Sequence, residues 1–192
     1  MLEQINIDIF NAVNQFAGRS SLIDKMAIIT AEYLPYVFIL LLIYLWFNAK
    51  ENRRYYALFA GYSAVLGVAL NLLITLVYFH PRPFMEGIGH ALINHADETS
   101  FPSDHTTLML SIALMLLFFK STRIISSIFL AFGLIGGFAR VFCGIHYPFD
   151  IAGSLLVAFV SAVIIWSLRE KLWIVNTIII NLYSRLFSPK ST

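Results

Sequence analysis

Residues 124–168 read IISSIFLAFGLIGGFARVFCGIHYPFDIAGSLLVAFVSAVIIWSL. Two apolar runs, Ile124 to Phe142 and Phe149 to Leu168, flank a short turn. About 20 apolar residues, rising 1.5 Å each as a helix, cross a hydrocarbon core of roughly 30 Å. Arg140, His146 and Asp150 gather at the turn between the runs. The stretch is a membrane hairpin with its polar chemistry at one surface.

Three more stretches upstream have the same character: Met26 to Phe47, Tyr55 to Phe79, and roughly Ser103 to Phe119, the shortest, whose polar start belongs at the interface. The whole chain agrees. Of 192 residues, 59% are hydrophobic and 12% charged, with a mean hydropathy of +0.77. An ordinary soluble domain carries about 25% charged residues, so a cytosolic enzyme and a disordered chain are both excluded. A net charge of +2 leaves no basic footprint for nucleic acid. The lone cysteine, Cys143, permits no internal disulfide.

The fold expected is all-α: a polytopic membrane helical bundle with five transmembrane helices, or six if Leu172 to Phe187 also crosses. A single integral-membrane domain is expected over 1–192, with no repeat or dividing linker. Residues 1–24 are expected to hold an interfacial helix, because Ile5, Ile7, Ile9, Phe10, Val13 and Phe16 are interleaved with Glu3, Asp8 and Asn14. The stretch has neither a basic start nor a small-residue cleavage site, so no removable signal peptide is expected. Residues 172–192 are expected to form a second interfacial helix or the short sixth span; Asn176, Thr177 and Asn181 favour the former. Five spans put Lys50, Arg53, Arg54, Lys120, Arg123, Arg169, Lys171, Arg185 and Lys190 on one side, against Arg19, Lys25, Arg82 and Arg140 on the other. The excess of Lys and Arg marks the cytoplasmic side. All five histidines then lie at or near the outer face of a plasma membrane.

Three segments on that face carry chemistry: His80-Pro81-Arg82-Pro83, then Phe101-Pro102-Ser103-Asp104-His105, then Arg140 through His146 to Asp150. Arginine offers a fork of donors matched to phosphate oxygens and keeps its charge at any working pH. A helix start after Pro102 offers free backbone N–H groups and the positive end of a dipole. Arg82, Arg140, the Ser103 hydroxyl and the N–H groups near Asp104 can together hold one phosphoryl group. A neutral His146 can attack phosphorus, giving a phosphohistidine. Asp150, four residues on, shares its helical face and can fix its tautomer. His105 can protonate the leaving oxygen and then activate the water that cleaves the intermediate.

Arg82-Pro83, Pro102-Ser103-Asp104-His105 and Arg140 with His146 and Asp150 resemble the three-part signature of the type 2 phosphatidic acid phosphatase superfamily. Asp104 in place of the commoner glycine, His95-x-Asp97 and the Pro-Arg-Pro-Phe run at 81–84 resemble its undecaprenyl-diphosphatase, bacitracin-resistance branch. The resemblance implies a helical bundle that hydrolyses undecaprenyl diphosphate in the bilayer to undecaprenyl phosphate and inorganic phosphate. It also implies recycling of the cell-wall lipid carrier, a contribution to bacitracin resistance, no cofactor and no required metal. No obligate protein partner is expected. Two positions depart from the general signature: Thr75 stands where a lysine is usual, and Ala139 where a serine precedes the arginine. Loss of the lysine removes one phosphate contact, for which a protonated His80 is a candidate replacement.

Phosphatidylglycerol phosphate and phosphatidate remain alternative substrates, and a non-catalytic transporter or resistance subunit is the reading from another class. Histidines 80, 90 and 95 lack zinc-like spacing. Gly133 with Gly137 and Ser63 with Gly67 are expected to mark close helix packing. Asn71 is expected to make an interhelical hydrogen bond and Cys143 to be a packing residue. Trp46, Trp166 and Trp173 are expected at the cytoplasmic boundary. Glu32 faces either the bundle interior or the interface, and His90, His95, Glu86, Asp97 and Glu98 are expected to be solvated loop residues.

Overall fold

A computed structural model describes residues 1–48 and 52–187. Lys50 and Lys190, two of the cations weighed for topology, lie outside the described residues. Seven α-helices follow in order: α1 Leu2–Asn14, α2 Ser21–Phe47, α3 Arg53–Thr75, α4 Asp104–Leu117, α5 Arg123–Phe142, α6 Pro148–Ser167 and α7 Arg169–Phe187. No strand occurs among the described residues. Helices α2, α3 and α6, and the segment Lys120–Phe142 that contains α5, are long and apolar enough to cross a membrane.

The expected span 103–119 is shorter than a lipid-facing helix allows. Helix α4 has 14 residues, a rise of about 21 Å. Its surroundings explain the difference, since α4 packs against α2, α3, α5 and α6 at once. Met109, Leu110, Ile112, Ala113, Met115 and Leu116 are all buried. A helix enclosed by protein need not match the bilayer thickness, and its polar side chains find partners inside. Asn71 Nδ2 donates to Thr107 Oγ1 at 3.0 Å, and Ser161 Oγ lies 3.2 Å from both Ser111 Oγ and Ser63 Oγ. Small residues permit these approaches. A Cβ on Gly67 would meet Ser111 Oγ at 2.6 Å, one on Gly133 would meet Leu110 at 2.8 Å, and one on Gly137 would meet Ile151 at 2.7 Å. Both small-residue pairs therefore mark packing. At the start of α4, Ser103 is buried, His105 half-buried and Asp104 exposed.

Helix α2 shows how the outer helices divide their faces. Ala31, Pro35, Phe38, Leu41 and Leu45 are buried along one stripe, while Tyr36, Leu40 and Ile43 are exposed. In a membrane these exposed apolar faces meet lipid tails. Both ends of α7 contact one end of the bundle. Its first residue follows the end of α6, and the Tyr183 ring lies 5.1 Å from that of Trp46 at the end of α2. Arg54, at the start of α3, stacks over both rings. Between these points Tyr62 Oη donates to Asn176 Oδ1 at 2.8 Å, and Trp173 stacks on Tyr55 at 4.2 Å. Helix α7 thus returns to the end from which it starts, where Arg53 and Arg54 open α3, Arg123 opens α5, and Arg169, Lys171 and Arg185 of α7 also lie.

The N-terminal helix is partnered differently from a helix that only floats on a membrane. Ile5, Ile9 and Phe16 are exposed, whereas Asn6, Phe10 and Asn14 form the buried stripe. Asn14 Nδ2 donates to His90 O at 2.9 Å and to Phe142 O at 2.8 Å, and its Oδ1 accepts from His90 N at 2.6 Å. Asn6 Oδ1 accepts from Phe149 N at 3.0 Å. Asparagines that look like the wet face of an amphipathic helix are its docking face, because they satisfy backbone groups of distant loops. Gly89 completes the fit: its φ is +73°, and a Cβ there would meet the Phe10 ring at 2.7 Å. Replacement of Asn14 by alanine strands the buried Phe142 carbonyl and removes the partner of the part-buried His90 N–H, a loss of about 2 kcal/mol. Thermal unfolding in detergent will show a lower midpoint for Asn14→Ala than for an exposed control such as Asn11→Ala.

Candidate active site

The 76–103 connection folds back over the end of the bundle opposite α7. Ser100 N donates to His80 O at 2.8 Å, and His80 N to Thr99 Oγ1 at 3.0 Å, so the two limbs of the loop are stitched together. The Arg82 guanidinium extends the stitching. Nε donates to Glu98 O at 3.2 Å and Nη2 to Thr99 O at 3.2 Å. Nη1 donates to Ile145 O at 2.9 Å and lies 3.2 Å from His146 Nε2. Of its five N–H donors, Arg82 uses four on the loop and the turn and leaves one on Nη2. Burial pulls its guanidinium down from the ordinary value, against the opposing pull of Asp150, Glu98 and Asp104.

Arg140 is less engaged. It is 2% exposed, and its one hydrogen bond runs from Nη1 to Ala31 O at 3.0 Å. Its Nε is buried without a partner. A buried cation with free donors is costly unless an anion completes it.

The turn between α5 and α6 positions His146. Gly144 has φ +78°, and a Cβ there would strike the His90 carbonyl, so the turn closes under the loop only with glycine at this point. Asp150 Oδ2 accepts from Tyr147 N at 2.7 Å and lies 3.3 Å from His146 Nδ1. A carboxylate only accepts, so Nδ1 carries the proton and Nε2 presents its lone pair. Burial first, then Arg140 and Arg82, hold His146 well below its usual value and keep it neutral. Burial and the Glu86 carboxylate, which accepts from its hydroxyl at 2.6 Å, raise the neighbouring Tyr147 above the ordinary range.

Arg82, Asp104, His105, Arg140 and His146 line one cavity of about 570 Å³. Its floor is the start of α4, where the N–H groups of Asp104, His105 and Thr106 precede the first intrahelical bond, Thr107 N to Ser103 O at 2.8 Å. Its rim at the end of α3 includes Leu72 and Phe79, 63% and 60% exposed. A second cavity of about 240 Å³ shares His95, His105 and Arg140 with the first and reaches Glu32, Tyr33 and Tyr36 on α2. Cations, a free helix start and an unprotonated imidazole nitrogen facing one space suit attack on a phosphoryl group. Among the described residues, no group of three or more His, Cys, Asp or Glu side chains is arranged to hold a metal ion.

Two of the expected site residues stand behind the wall. Asp150 touches the cavity through His146. Ser103 is fully buried: its N–H donates to Ser154 Oγ at 2.9 Å, and its hydroxyl accepts from Thr106 Oγ1 at 3.1 Å. His80 does not replace the missing lysine, because it lies on the far side of Asp150, 3.9 Å from Oδ1, and is absent from the cavity lining. Thr75 does reach the cavity, so the position usually held by lysine is correctly placed but uncharged. Asn71 makes its interhelical bond and also donates to Asp104 Oδ1 at 2.7 Å, which ties α3 to the cavity floor. Cys143 is fully buried in an apolar cluster with Ala139 and Ala31, and burial pushes its thiol up to about 12.

His95 and Glu98, expected to be solvated loop residues, line the cavity together with Thr99; Glu98 is exposed and His95 half-buried. Burial, with Arg82 next, lowers His95 from its ordinary value. The one signal for it in sequence is the His95-x-Asp97 likeness. Glu32 faces the second cavity, an interior placement for an acid within a membrane helix.

Residues 56–174, which include every one of these motifs, match the family model described as PAP2 superfamily. The chain belongs to that superfamily. It is 35% identical over 184 residues to Undecaprenyl-diphosphatase BcrC of Bacillus subtilis (strain 168), covering 96% of this chain and 94% of that protein. It is 30% identical over 186 residues to the Bacitracin transport permease protein BcrC of Bacillus licheniformis, covering 95% and 89%. The crystal structure of Aquifex aeolicus LpxE superposes with a TM-score of 0.70 at 24% identity, over 85% of this chain and 95% of that one, a likeness of fold. This PAP2 chain is an enzyme embedded in a membrane by several apolar helices.

Proposed function

We propose that the chain hydrolyses undecaprenyl diphosphate to undecaprenyl phosphate and inorganic phosphate at the outer face of a bacterial plasma membrane. The observation that carries the reading is the single cavity in which the Nε2 lone pair of His146 meets Arg82, Arg140, His105 and the start of α4. The full-length likeness to an undecaprenyl-diphosphatase supports the choice of lipid.

The terminal phosphoryl group enters with its oxygens toward the free donors of Arg140, the remaining Nη2 hydrogen of Arg82 and the N–H groups of Asp104 and His105. It takes over the Arg82 Nη1 donor that lies on His146 Nε2. Nε2 attacks the terminal phosphorus, and the bond to the bridging oxygen breaks. Undecaprenyl phosphate leaves with the electron pair and a proton from His105. Asp150 stabilises the charge that develops on the phosphohistidine. Water then attacks the same phosphorus while His105, now neutral, takes a proton from it; the P–N bond breaks with its electron pair returning to Nε2, and inorganic phosphate departs. The apolar rim at Leu72 and Phe79 keeps the polyprenyl chain in lipid, so the end of α3 borders the lipid side of the larger cavity. Cations gathered at the α7 end support a cytoplasmic position for that end and an outer one for the cavity. Removal of the diphosphate that bacitracin sequesters would confer resistance to it.

Phosphate release by the detergent-purified protein, with EDTA present, tests the reading. Undecaprenyl diphosphate, phosphatidylglycerol phosphate and phosphatidate are supplied in parallel. Release that survives EDTA and is fastest from the diphosphate is the expected result. Faster release from either monophosphate reassigns the lipid, and no release from any of the three favours a non-catalytic membrane component. Loss of release with EDTA would make the histidines metal ligands.

A further inference from the structure

Asp150 is 1% exposed, and only one of its oxygens is satisfied. Oδ2 accepts from Tyr147 N and His146 Nδ1, while Oδ1 is buried without a hydrogen-bond partner. A carboxylate in that state calls for a positive group on its bare side. His80 is the group there, with Nδ1 3.9 Å from Oδ1.

Ser100 Oγ lies 2.7 Å from His80 Nδ1 and 3.2 Å from Pro81 O. On the other side of the ring, Nε2 lies 3.5 Å from Glu3 Oε2 in the first turn of α1. His80 thus stands between two carboxylates, Asp150 and Glu3, a place that suits a cation. The other groups around the ring are Tyr78 after α3, at 6.1 Å and stacked, and Tyr147 in the α5–α6 turn, at 5.3 Å edge-on. Arg82, two residues away, turns to the other side, onto the loop carbonyls and His146. His80, Glu3 and Asp150 line a cavity of about 340 Å³, separate from the one that His146 lines.

We infer that His80, bridged to the loop by Ser100, is a positioning residue that holds Asp150 ionised and oriented, so that Asp150 in turn keeps the proton of His146 on Nδ1. The inference rests on the proposed histidine chemistry. An opposite charge at about 4–6 Å lowers the proton affinity of a carboxylate by about one to three pK units. Loss of that charge makes the buried pair His146–Asp150 take up a proton at higher pH. The titration belongs to the pair and appears as the acid limb of kcat.

The test is the pH profile of kcat and KM for wild type, His80→Asn, His80→Gln and His80→Lys, on whichever lipid phosphate the wild type hydrolyses fastest. The expected result is an acid limb moved up by about one pH unit in both neutral variants. It returns toward wild type in His80→Lys, and KM stays within about twofold because His80 does not touch the phosphate site. Asparagine keeps the reach to Ser100 and glutamine the reach toward Glu3, so one folded neutral variant suffices, with folding checked by thermal unfolding. An acid limb that coincides with wild type in the neutral variants, or that moves equally in His80→Lys, overturns the inference. Absence of phosphate release by the wild type itself would instead overturn the histidine chemistry on which it rests.

Discussion

Phosphate release from undecaprenyl diphosphate is expected to fall by about 10⁴-fold or more when His146 is replaced by alanine, the scale of removing a nucleophile or its orienting partner. His146 Nε2 is the neutral imidazole nitrogen that faces the cavity with its proton pinned elsewhere, on Nδ1 at 3.3 Å from Asp150. Arg82 and Arg140 remain in the variant and still bind the phosphoryl group, so KM changes far less than kcat. A direct attack by water lacks an activated nucleophile. Quenching the wild type during turnover of diphosphate labelled in its terminal phosphate will trap a base-stable, acid-labile phosphoenzyme that His146→Ala lacks. Activity within tenfold of wild type in that variant would place the nucleophile on another residue.

His105→Gln is expected to have a second large effect that depends on the leaving group. General acid–base catalysis contributes about 10²–10⁴-fold. From phosphatidate the leaving oxygen is an alkoxide, which needs a proton about as badly as hydroxide does. From a diphosphate it is a phosphate oxygen, whose conjugate acid ionises near pH 6. Formation of the phosphohistidine should thus slow about 10³-fold on phosphatidate and far less on undecaprenyl diphosphate. The second step needs His105 as the base for water with either lipid. His105→Gln will therefore accumulate the phosphoenzyme during turnover of the diphosphate, and rapid-quench kinetics will show a burst of undecaprenyl phosphate followed by slow phosphate release. Equal losses on both lipids with no burst would remove His105 from the proton transfers.

Much of the candidate site was legible before any coordinates because its parts are local. Asp150 follows His146 by one helical turn, and the structure sets them 3.3 Å apart across the start of α6. Residues after Pro102 were expected to open a helix, and α4 begins at Asp104. Arg82, Asp104, His105 and Arg140 converge with His146, as three segments at one end of a bundle should. Ser103 shows the limit of such local reading. Its place at the helix start is as expected, but the Ser154 hydroxyl of α6 and the Thr106 hydroxyl engage it on the side away from the cavity. His80 shows the same limit: only two residues from Arg82, it lies against Asp150 Oδ1 and outside the cavity that Arg82 lines.

Embedding in a membrane followed from the sequence alone, since apolar run length and charge scarcity are properties of the chain read in one dimension. So did the candidates for binding and attacking phosphorus, because side-chain chemistry and one-turn spacing need no distant partner. The tertiary structure decided which of those residues share a cavity, and that α4 stays short because protein rather than lipid surrounds it. It also decided that Asn14 docks α1 onto backbone groups 76 and 128 residues away, and that His95 and Glu32 look into the site. Each of these depends on what packs against a residue from elsewhere in the chain, and burial and hydrogen bonding across such separations leave no periodic trace in a local stretch of sequence.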